Sequence, residues 1–266
     1  MKTIILSLIF TFISFSNPHL EATRLLGLMH QNLNGIKAHS YRLNLAERRI
    51  DNQYHQGELL ISVQNQPLKI RAEVIGPAEG PLVEYDAAAD KTNAVITPRK
   101  WLPAVKFKQD VNSKMVRRGH YSIHETTFNH FDFLIQKMET RLLQNGDSHH
   151  GIKYHGITSE EGVSCHKIEL IDAQYQIQNY QINREENLID LAQNKWIHPY
   201  KILELNPQLS SYDEIRTGQR IKIPTSYAKR CVLYIDTQDY LPRRLEVYDE
   251  LGWFEKYSFR DISIRR

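Results

Sequence analysis

Apolar and polar residues alternate with a period of two along most of this chain of 266 residues. Such alternation is typical of antiparallel strands that bury only one face. Five alternating segments follow one another between residues 41 and 97, separated by turn residues, and more occupy residues 152–171 and 230–264. Because these strands do not alternate with helices, the pattern predicts an antiparallel meander.

Two other segments repeat apolar residues every three or four positions, which is the period of an amphipathic helix. They cover residues 20–36 and residues 124–143. Helices that pack on one face of an antiparallel sheet define the α+β class. We therefore expect an α+β fold for most of the chain.

A different order of elements interrupts the strands at residues 180–224. A short alternating strand comes first, and Asn187 then stands at the N-cap position of a helix. Pro199 suits the first turn of a second helix, which Asn206-Pro207 ends before a closing strand. This segment therefore predicts a compact β-α-α-β unit.

The second half of this unit contains Leu205-Asn206-Pro207 and Gly218-Gln219-x-Ile221-x-Ile223-Pro224. On these motifs the chain resembles the LysM family over about residues 180–227. The resemblance implies binding of N-acetylglucosamine polymers, peptidoglycan or chitin, in a shallow groove between the loop after the first strand and the loop after the second helix. Carried over, the groove comprises Glu185, Glu186, Asn187, Leu188, Asn206, Pro207, Gln208 and Leu209.

One groove position departs from the LysM pattern, since Glu185 stands where the family usually has Gly. A Cβ at a turn position that prefers Gly reshapes the loop. A second carboxylate beside Glu186 also adds negative charge near an anionic glycan. The alternative that this LysM fold serves as a spacer or a protein contact therefore stays open.

The flanking strands resemble a second family. Residues 234–252, YID-x-x-x-x-LPRRLEVYDE-x-G, are similar to the C-terminal strands of the LolA-like fold, in which periplasmic carriers wrap a curved antiparallel sheet around helices. Ala46-Glu47-Arg48, Gly57-Glu58-Leu59 and Arg118-Gly119-His120 match further upstream. The resemblance implies a half-barrel shell in a secreted bacterial protein family of unknown function.

The LysM unit lies inside this shell sequence. Its removal would make 163–171 and 230–236 consecutive strands of one hairpin, and exposed hairpin tips tolerate insertions. We therefore expect a discontinuous LolA-like domain, residues 20–174 and 228–266, around a LysM domain at residues 175–227.

The N-terminus has the layout of a secretory signal, here residues 1–19. Lys2 precedes an apolar run at residues 4–15, which is shorter than the roughly 20 residues of a membrane span. A periplasmic or secreted protein of the cell envelope is expected. The net charge of +3 is small, which argues against a nucleic-acid partner.

The chain has two cysteines, Cys165 and Cys231. An even pair in an exported protein favours a disulfide, and in the joined hairpin each cysteine would lie on one strand. The alternative is two buried free thiols.

No catalytic, metal or cofactor site is predicted. The sequence has no Gly-x-Ser-x-Gly, His-Glu-x-x-His or Cys-x-x-Cys motif. Cys165 and His166 are adjacent on a strand, so their side chains point to opposite faces and cannot form a dyad. A cell-envelope hydrolase that uses Cys165 or a carboxylate pair is the enzymatic alternative, and an envelope-assembly protein is the structural one.

An apolar cavity in the shell is a further hypothesis. Its lining would include Trp101, Phe107, Phe128 and Phe131, and the alternative is that these aromatic residues form core. The sequence thus favours an exported, non-enzymatic protein that binds peptidoglycan through LysM and whose shell binds lipid or lipoprotein.

Overall fold

The structure is a computed structural model, and it describes residues 18–98, 105–113, 115–117, 119–183, 187–213 and 215–266. The predicted signal segment up to residue 17, Trp101, Glu185 and Glu186 lie outside these ranges. The strands of the main sheet are β1 Ala38–Arg48, β2 Tyr54–Asn65, β3 Leu68–Gly76, β4 Leu82–Asp86, β5 Asn93–Thr97, β6 Phe107–Asp110, β7 Ile152–Glu160, β8 Val163–Ile171, β11 Arg230–Asp236, β12 Pro242–Asp249 and β13 Gly252–Arg265, and between β8 and β11 in the chain come β9 Ile177–Gln181 and β10 Arg220–Pro224.

The main sheet has the order β6-β5-β4-β3-β2-β1-β13-β12-β11-β8-β7 among the described residues. Every pair of neighbours is antiparallel. Strand β13 lies between β1 and β12, so the first and last strands of the main sheet pair with each other near its centre. The predicted α+β fold with an antiparallel sheet is confirmed.

Two long helices, α1 Pro18–Asn34 and α2 Phe128–Gln144, pack on one face of this sheet. Their buried residues recur at helical spacing, as the sequence predicts, and join one core with the inward residues of the strands. A short helix, α3 Ser148–Gly151, follows α2. Among the described residues, no helix has both the length and the apolar character that a membrane span requires.

The proposed cavity aromatics occupy different places. Phe128 and Phe131 are 1% and 4% exposed, and their rings lie 4.8 Å from Tyr41 and 5.3 Å from Phe259, respectively. Rings in contact at these distances fill the space between helix and sheet. The structure therefore places this pair in packed core rather than around a cavity, and half-buried Phe107 lies far away on the edge strand β6.

The β-α-α-β unit folds as the sequence predicts. Strands β9 and β10 pair with each other, and between them lie α4 Leu188–Lys195 and α5 Pro199–Leu205. The unit has an apolar core of its own. Strands β8 and β11, which flank it in the chain, pair directly with Ile171 opposite Arg230. The unit is therefore an insertion in a hairpin of the main sheet.

The predicted disulfide is wrong, because the two cysteines are free and not opposite each other. Cys231 pairs with Leu170, whereas Cys165 pairs with Asp236. Leu170 is five residues from Cys165, which corresponds to about 17 Å along a strand. An odd offset also places the two side chains on opposite faces of the sheet, so neither the distance nor the direction allows a bridge.

Candidate functional site

The start of α4, which follows the first of the two loops that the LysM resemblance assigns to glycan binding, lies beside the chain that follows α5. The backbone N–H of Leu188 donates to the carbonyl of Tyr212 at 2.7 Å, which joins the start of α4 to the chain that follows α5. Asn187 caps α4 as predicted, because its Oδ1 accepts the N–H of Asp190 at 2.8 Å. The bond from Leu188 fixes the start of α4 relative to the chain that follows α5.

The buried side chain of Asn206 stabilises the loop after α5. Its Nδ2 donates to the carbonyls of Ile202 and Lys222, both at 2.7 Å, and its Oδ1 accepts the N–H of Lys222 at 2.9 Å. The residue is 2% exposed. With these bonds made inside the domain, the side chain of Asn206 determines the shape of the loop.

The other described groove residues divide into a buried pair and an exposed pair. Leu188 and Leu209 belong to the apolar core of the LysM unit. Pro207 and Gln208 are exposed, beside half-buried Asn187. Of the eight residues carried over from the family, these three therefore form the accessible surface within the described part of the loops.

Sequence reasoning missed how firmly the LysM unit docks on the shell. Helix α5 carries Lys201 and Glu204 to the end of β1 and β12, where Arg48 and Asp249 meet them. Arg48 Nε lies 2.8 Å from Glu204, and Lys201 Nζ lies 2.6 Å from both Glu204 and Asp249. Arg48 also pairs with Asp249. All four side chains are at most 7% exposed, so we call them the ionic seam.

The charges of the ionic seam compensate one another. Burial alone would raise the pKa of Asp249 and of Glu204, but Arg48 and Lys201 hold both below their ordinary values. Burial likewise opposes the charge on Lys201, whose pKa is nevertheless raised by Asp249, Glu204 and the neighbouring Glu250. Removing one partner would leave a buried charge uncompensated, which typically costs about 3–5 kcal/mol.

A second buried cluster surrounds Glu255 of β13, which is 0% exposed. Its Oε1 accepts the hydroxyls of Tyr121 at 2.7 Å and Tyr227 at 2.6 Å. Its Oε2 lies 2.6 Å from Nδ1 of His120 and 3.5 Å from Nε2 of His198. His198 belongs to the LysM unit, where it caps α5, so this carboxylate also joins the two parts of the molecule.

His120, His198 and Glu255 have the composition of a metal site, with ligand atoms within 4.8 Å of one another. The hydrogen bonds argue otherwise. His120 Nε2 lies 2.8 Å from the carbonyl of Arg48, so it donates there. His198 Nδ1 accepts the N–H of Tyr200 at 3.1 Å, which leaves its proton on Nε2, facing Glu255.

Protonation explains the rest of this cluster. Both ring nitrogens of His120 face acceptors, Oε2 of Glu255 and the carbonyl of Arg48, so both carry protons and donate. In agreement, Glu47 and Glu255 raise the pKa of His120 although burial opposes its charge. The pKa of Glu255 is held well below its ordinary value, against burial, by His198 and His120. Nδ1 of His120 therefore already donates to Glu255, while Nε2 of His198 faces the same carboxylate at 3.5 Å without a hydrogen bond. The cluster is a polar contact between the two parts of the molecule.

The loop after α5 also touches the shell. The Arg117 guanidinium lies 5.4 Å from the centre of the Tyr212 ring, and Arg117 pairs with Glu125 at 2.8 Å. The chain that follows α5 is therefore held against the shell, and not only within the LysM unit.

The comparisons with known proteins agree with the resemblance to LysM. Residues 180–224 match the LysM domain family. No curated protein matches the chain. Three solved structures resemble it over most of its length: the lipoprotein LppX of Mycobacterium tuberculosis (10% identity, 90% of this chain and 95% of that one, TM-score 0.39), LprF of Mycobacterium bovis (9%, 94% and 99%, 0.44) and a LolA superfamily protein of Nitrosomonas europaea (7%, 92% and 94%, 0.31).

The family match confirms the LysM prediction, and a LysM domain indicates a glycan-binding module rather than an enzyme. Nothing about Cys165 favours the hydrolase alternative. Its side chain is 0% exposed, and burial raises the pKa of its thiol to about 11, so a nucleophilic thiolate is disfavoured near neutral pH.

Proposed function

We propose that this is an exported, non-enzymatic protein of the cell envelope that docks on peptidoglycan or a related N-acetylglucosamine polymer through its LysM domain. The observation that carries the proposal is the geometry beside the two loops. The start of α4 is joined to the chain that follows α5 by the bond from Leu188 to Tyr212, and the surface at Pro207 and Gln208 is left accessible although the side of α5 is buried against the shell.

The ionic seam determines how the LysM domain is oriented on the shell. The ionic seam and the Glu255 cluster together attach the LysM domain to β1, β12 and β13 through buried, geometrically demanding bonds. A glycan bound at the loops would then set the orientation of the whole sheet relative to the polymer. A loosely tethered module would only raise the local concentration of the shell.

Lipid or lipoprotein binding by the shell, which the sequence resemblance implies, is a second candidate function. The packed rings of Phe128 and Phe131 disfavour a site between the helices and the sheet. A cavity between α2 and the LysM domain supports the candidate at a different place.

Co-sedimentation with purified peptidoglycan tests glycan docking. We expect the wild-type protein to pellet with the polymer, and soluble chitin oligomers to compete. Gln208→Ala should weaken binding about three- to tenfold, since it removes an exposed polar contact worth about 1 kcal/mol. Gln178→Ala is the matched control, because Gln178 is also an exposed glutamine of the LysM unit but lies on β9.

Absence of the wild-type protein from the pellet would overturn the proposal. Equal loss with Gln208→Ala and Gln178→Ala would place the contact elsewhere on the domain. Asn206 and Leu209 are unsuitable test positions, because both are buried and their substitution would disturb the loop itself.

A further inference from the structure

A cavity of about 360 Å³ lies where α2 of the shell faces α4 of the LysM domain. Most of its surface is apolar, from both sides of the junction. The apolar lining includes Phe133, Leu134, Ile189, Ala192, Trp196 and Ile197. Its volume is within the range of small-molecule sites, about 300–1,000 Å³.

Two aromatic side chains stand exposed at this junction. Trp196 is 46% exposed and Phe133 is 42% exposed, and their ring centres are 5.2 Å apart. Trp196 also ends α4 with a φ of 60°, a left-handed conformation that costs about 1 kcal/mol for a residue with a Cβ. Contiguous exposed apolar side chains rimmed by polar residues are typical of ligand-binding grooves.

A second cavity of about 300 Å³ continues on the other side of the pair formed by Lys137 and Trp196. Lys137, Arg141 and Lys195 line it, and no acidic residue is among its described lining residues. Arg141 is paired with Asp172 behind the cavity. The two cavities therefore differ in character, the first apolar and the second cationic.

Lys137 stands between them. Its Nζ lies 3.4 Å from the centre of the Trp196 ring, and among the described residues it makes no ion pair with a carboxylate. The acid that lines the apolar cavity, Glu125, is already paired with Arg117, which lowers its pKa to about 2 although burial opposes this. The charge of Lys137 is therefore available to a ligand.

The far side of the apolar cavity contributes polar groups that lack partners. His124 and His130 both line it, and within the described ranges Nδ1 of His124 and Nε2 of His130 are buried without a hydrogen-bond partner. Burial lowers the pKa of His130 to about 4, so the ring is neutral. Neutral rings add no charge to compete with Lys137 for an anion.

We propose that the two cavities form one binding site for an amphiphilic anion, with its apolar chain between α2 and α4 and its anionic head beside Lys137. The apolar cavity takes an alkyl chain, and the cationic cavity takes a carboxylate or a phosphate. Both halves of the molecule build this site, which exists only while the LysM domain is docked. The site is independent of the glycan loops.

Isothermal titration of the full chain with decanoate, decyl phosphate and decanol tests the proposal. We expect one molecule of decanoate or decyl phosphate per chain and binding of decanol at least about tenfold weaker, since decanol has the same chain without the charge. The tighter of the two anions identifies the head group. Absence of binding by both anions, or equal affinity for decanol, would overturn the proposal.

Three lysine substitutions test where the anionic head group binds. Lys137→Gln should weaken the binding of the anion about tenfold and leave decanol unchanged, and Lys195→Gln should weaken the anion about threefold. Lys167→Gln is the matched control, since Lys167 also lies over an aromatic ring, Tyr234, but on the distant strand β8. Equal affinity in Lys137→Gln and Lys167→Gln would contradict the proposed head-group site.

Gln193→Trp tests the chain site separately. Gln193 is exposed and lines the apolar cavity, so a larger side chain there blocks the entrance without entering either core. We expect both anions and decanol to lose binding while the unfolding transition stays within about 0.5 kcal/mol of wild type. Retained binding in this variant would show that the chain lies elsewhere.

Discussion

The core of the shell and the junction with the LysM domain are both buried, but they differ in chemistry. Between the helices and the sheet, Phe128, Phe131, Tyr41 and Phe259 pack as stacked and edge-on rings. At the junction, buried carboxylates meet arginine, lysine, histidine and tyrosine. Apolar packing is non-directional, whereas charged hydrogen bonds require particular angles and distances. The shell is therefore stabilised chiefly by burial, and the orientation of the LysM domain chiefly by geometry.

Removal of an aromatic ring from the shell core should have the largest effect. Phe131→Ala should lower the free energy of unfolding by about 3–5 kcal/mol, because it removes a buried ring and leaves a cavity. Urea unfolding followed by far-UV circular dichroism measures the loss. Phe133→Ala, a change of an exposed phenylalanine on the same helix, is the control and should cost less than about 1 kcal/mol.

Disruption of the ionic seam should lower the free energy of unfolding by a smaller amount, and it should also loosen the attachment of the LysM domain. Lys201→Met should lower the free energy of unfolding by about 2–3 kcal/mol, since Arg48 still compensates part of the charge on Asp249 and Glu204. We also expect faster amide exchange along α5 and β12, measured by hydrogen–deuterium exchange. Lys222→Met, at an exposed lysine of β10, should change neither quantity. Unchanged exchange in Lys201→Met would contradict a role in orientation.

One ionisable contact in the shell, at His30, should have a smaller effect on the free energy of unfolding, and this effect depends on pH. His30 of α1 lies between Asp132 and Glu139 of α2, and although burial opposes its charge, these carboxylates raise its pKa to about 9. Because the folded-state pKa exceeds the unfolded value of about 6.5, the contribution is complete below pH 6.5 and is lost as the pH rises through 9.

Unfolding by urea at a series of pH values measures this contribution. We expect the wild-type stability to fall by about 2 kcal/mol between pH 6.5 and pH 9.5, an amount reduced by partial solvent access. His30→Gln should reduce that slope, and the part that remains is due to His120, whose pKa is also raised. If the variant keeps the full slope, the titrating group is a different one.

The smallest expected effect concerns the cysteines. Because Cys165 and Cys231 are free and buried, addition of dithiothreitol should leave the midpoint of thermal unfolding unchanged. A thiol reagent should label both residues only after denaturation. If neither cysteine were labelled in the denatured, unreduced protein, a disulfide between them would be present.

Local sequence patterns predicted the elements well because each pattern depends on neighbours in the chain. Alternation predicted the strands, and Asn187 and Pro199 marked the starts of α4 and α5 where the structure has them. The motif Gly218-Gln219-x-Ile221-x-Ile223-Pro224 identified the LysM unit. What the alternation could not provide is register, so it paired Cys165 with Cys231, five positions out of place.

The junction could not be predicted for a related reason. Arg48 and Asp249 are 201 residues apart in the chain, and Arg48 and Glu204 are 156 apart. Charged residues are mostly exposed unless they find a buried partner, so in sequence each of them resembles ordinary surface. Asn206 is the opposite case, since a recognisable motif assigns it to the groove, and only the structure shows that its side chain is buried and bonded within the LysM domain.

The attachment of the LysM domain through two paired strands has a mechanical consequence. The chain leaves the sheet at Ile171 and returns at Arg230, which are opposite each other on β8 and β11. Tension on a docked domain would therefore pull both strands in the same direction. The hydrogen bonds of β8 to β7 and of β11 to β12 would then be loaded together in shear. They would not break one at a time, as they do when an edge strand is peeled from a sheet. A protein anchored to a wall under turgor would thus resist tension along the same strands that define its fold.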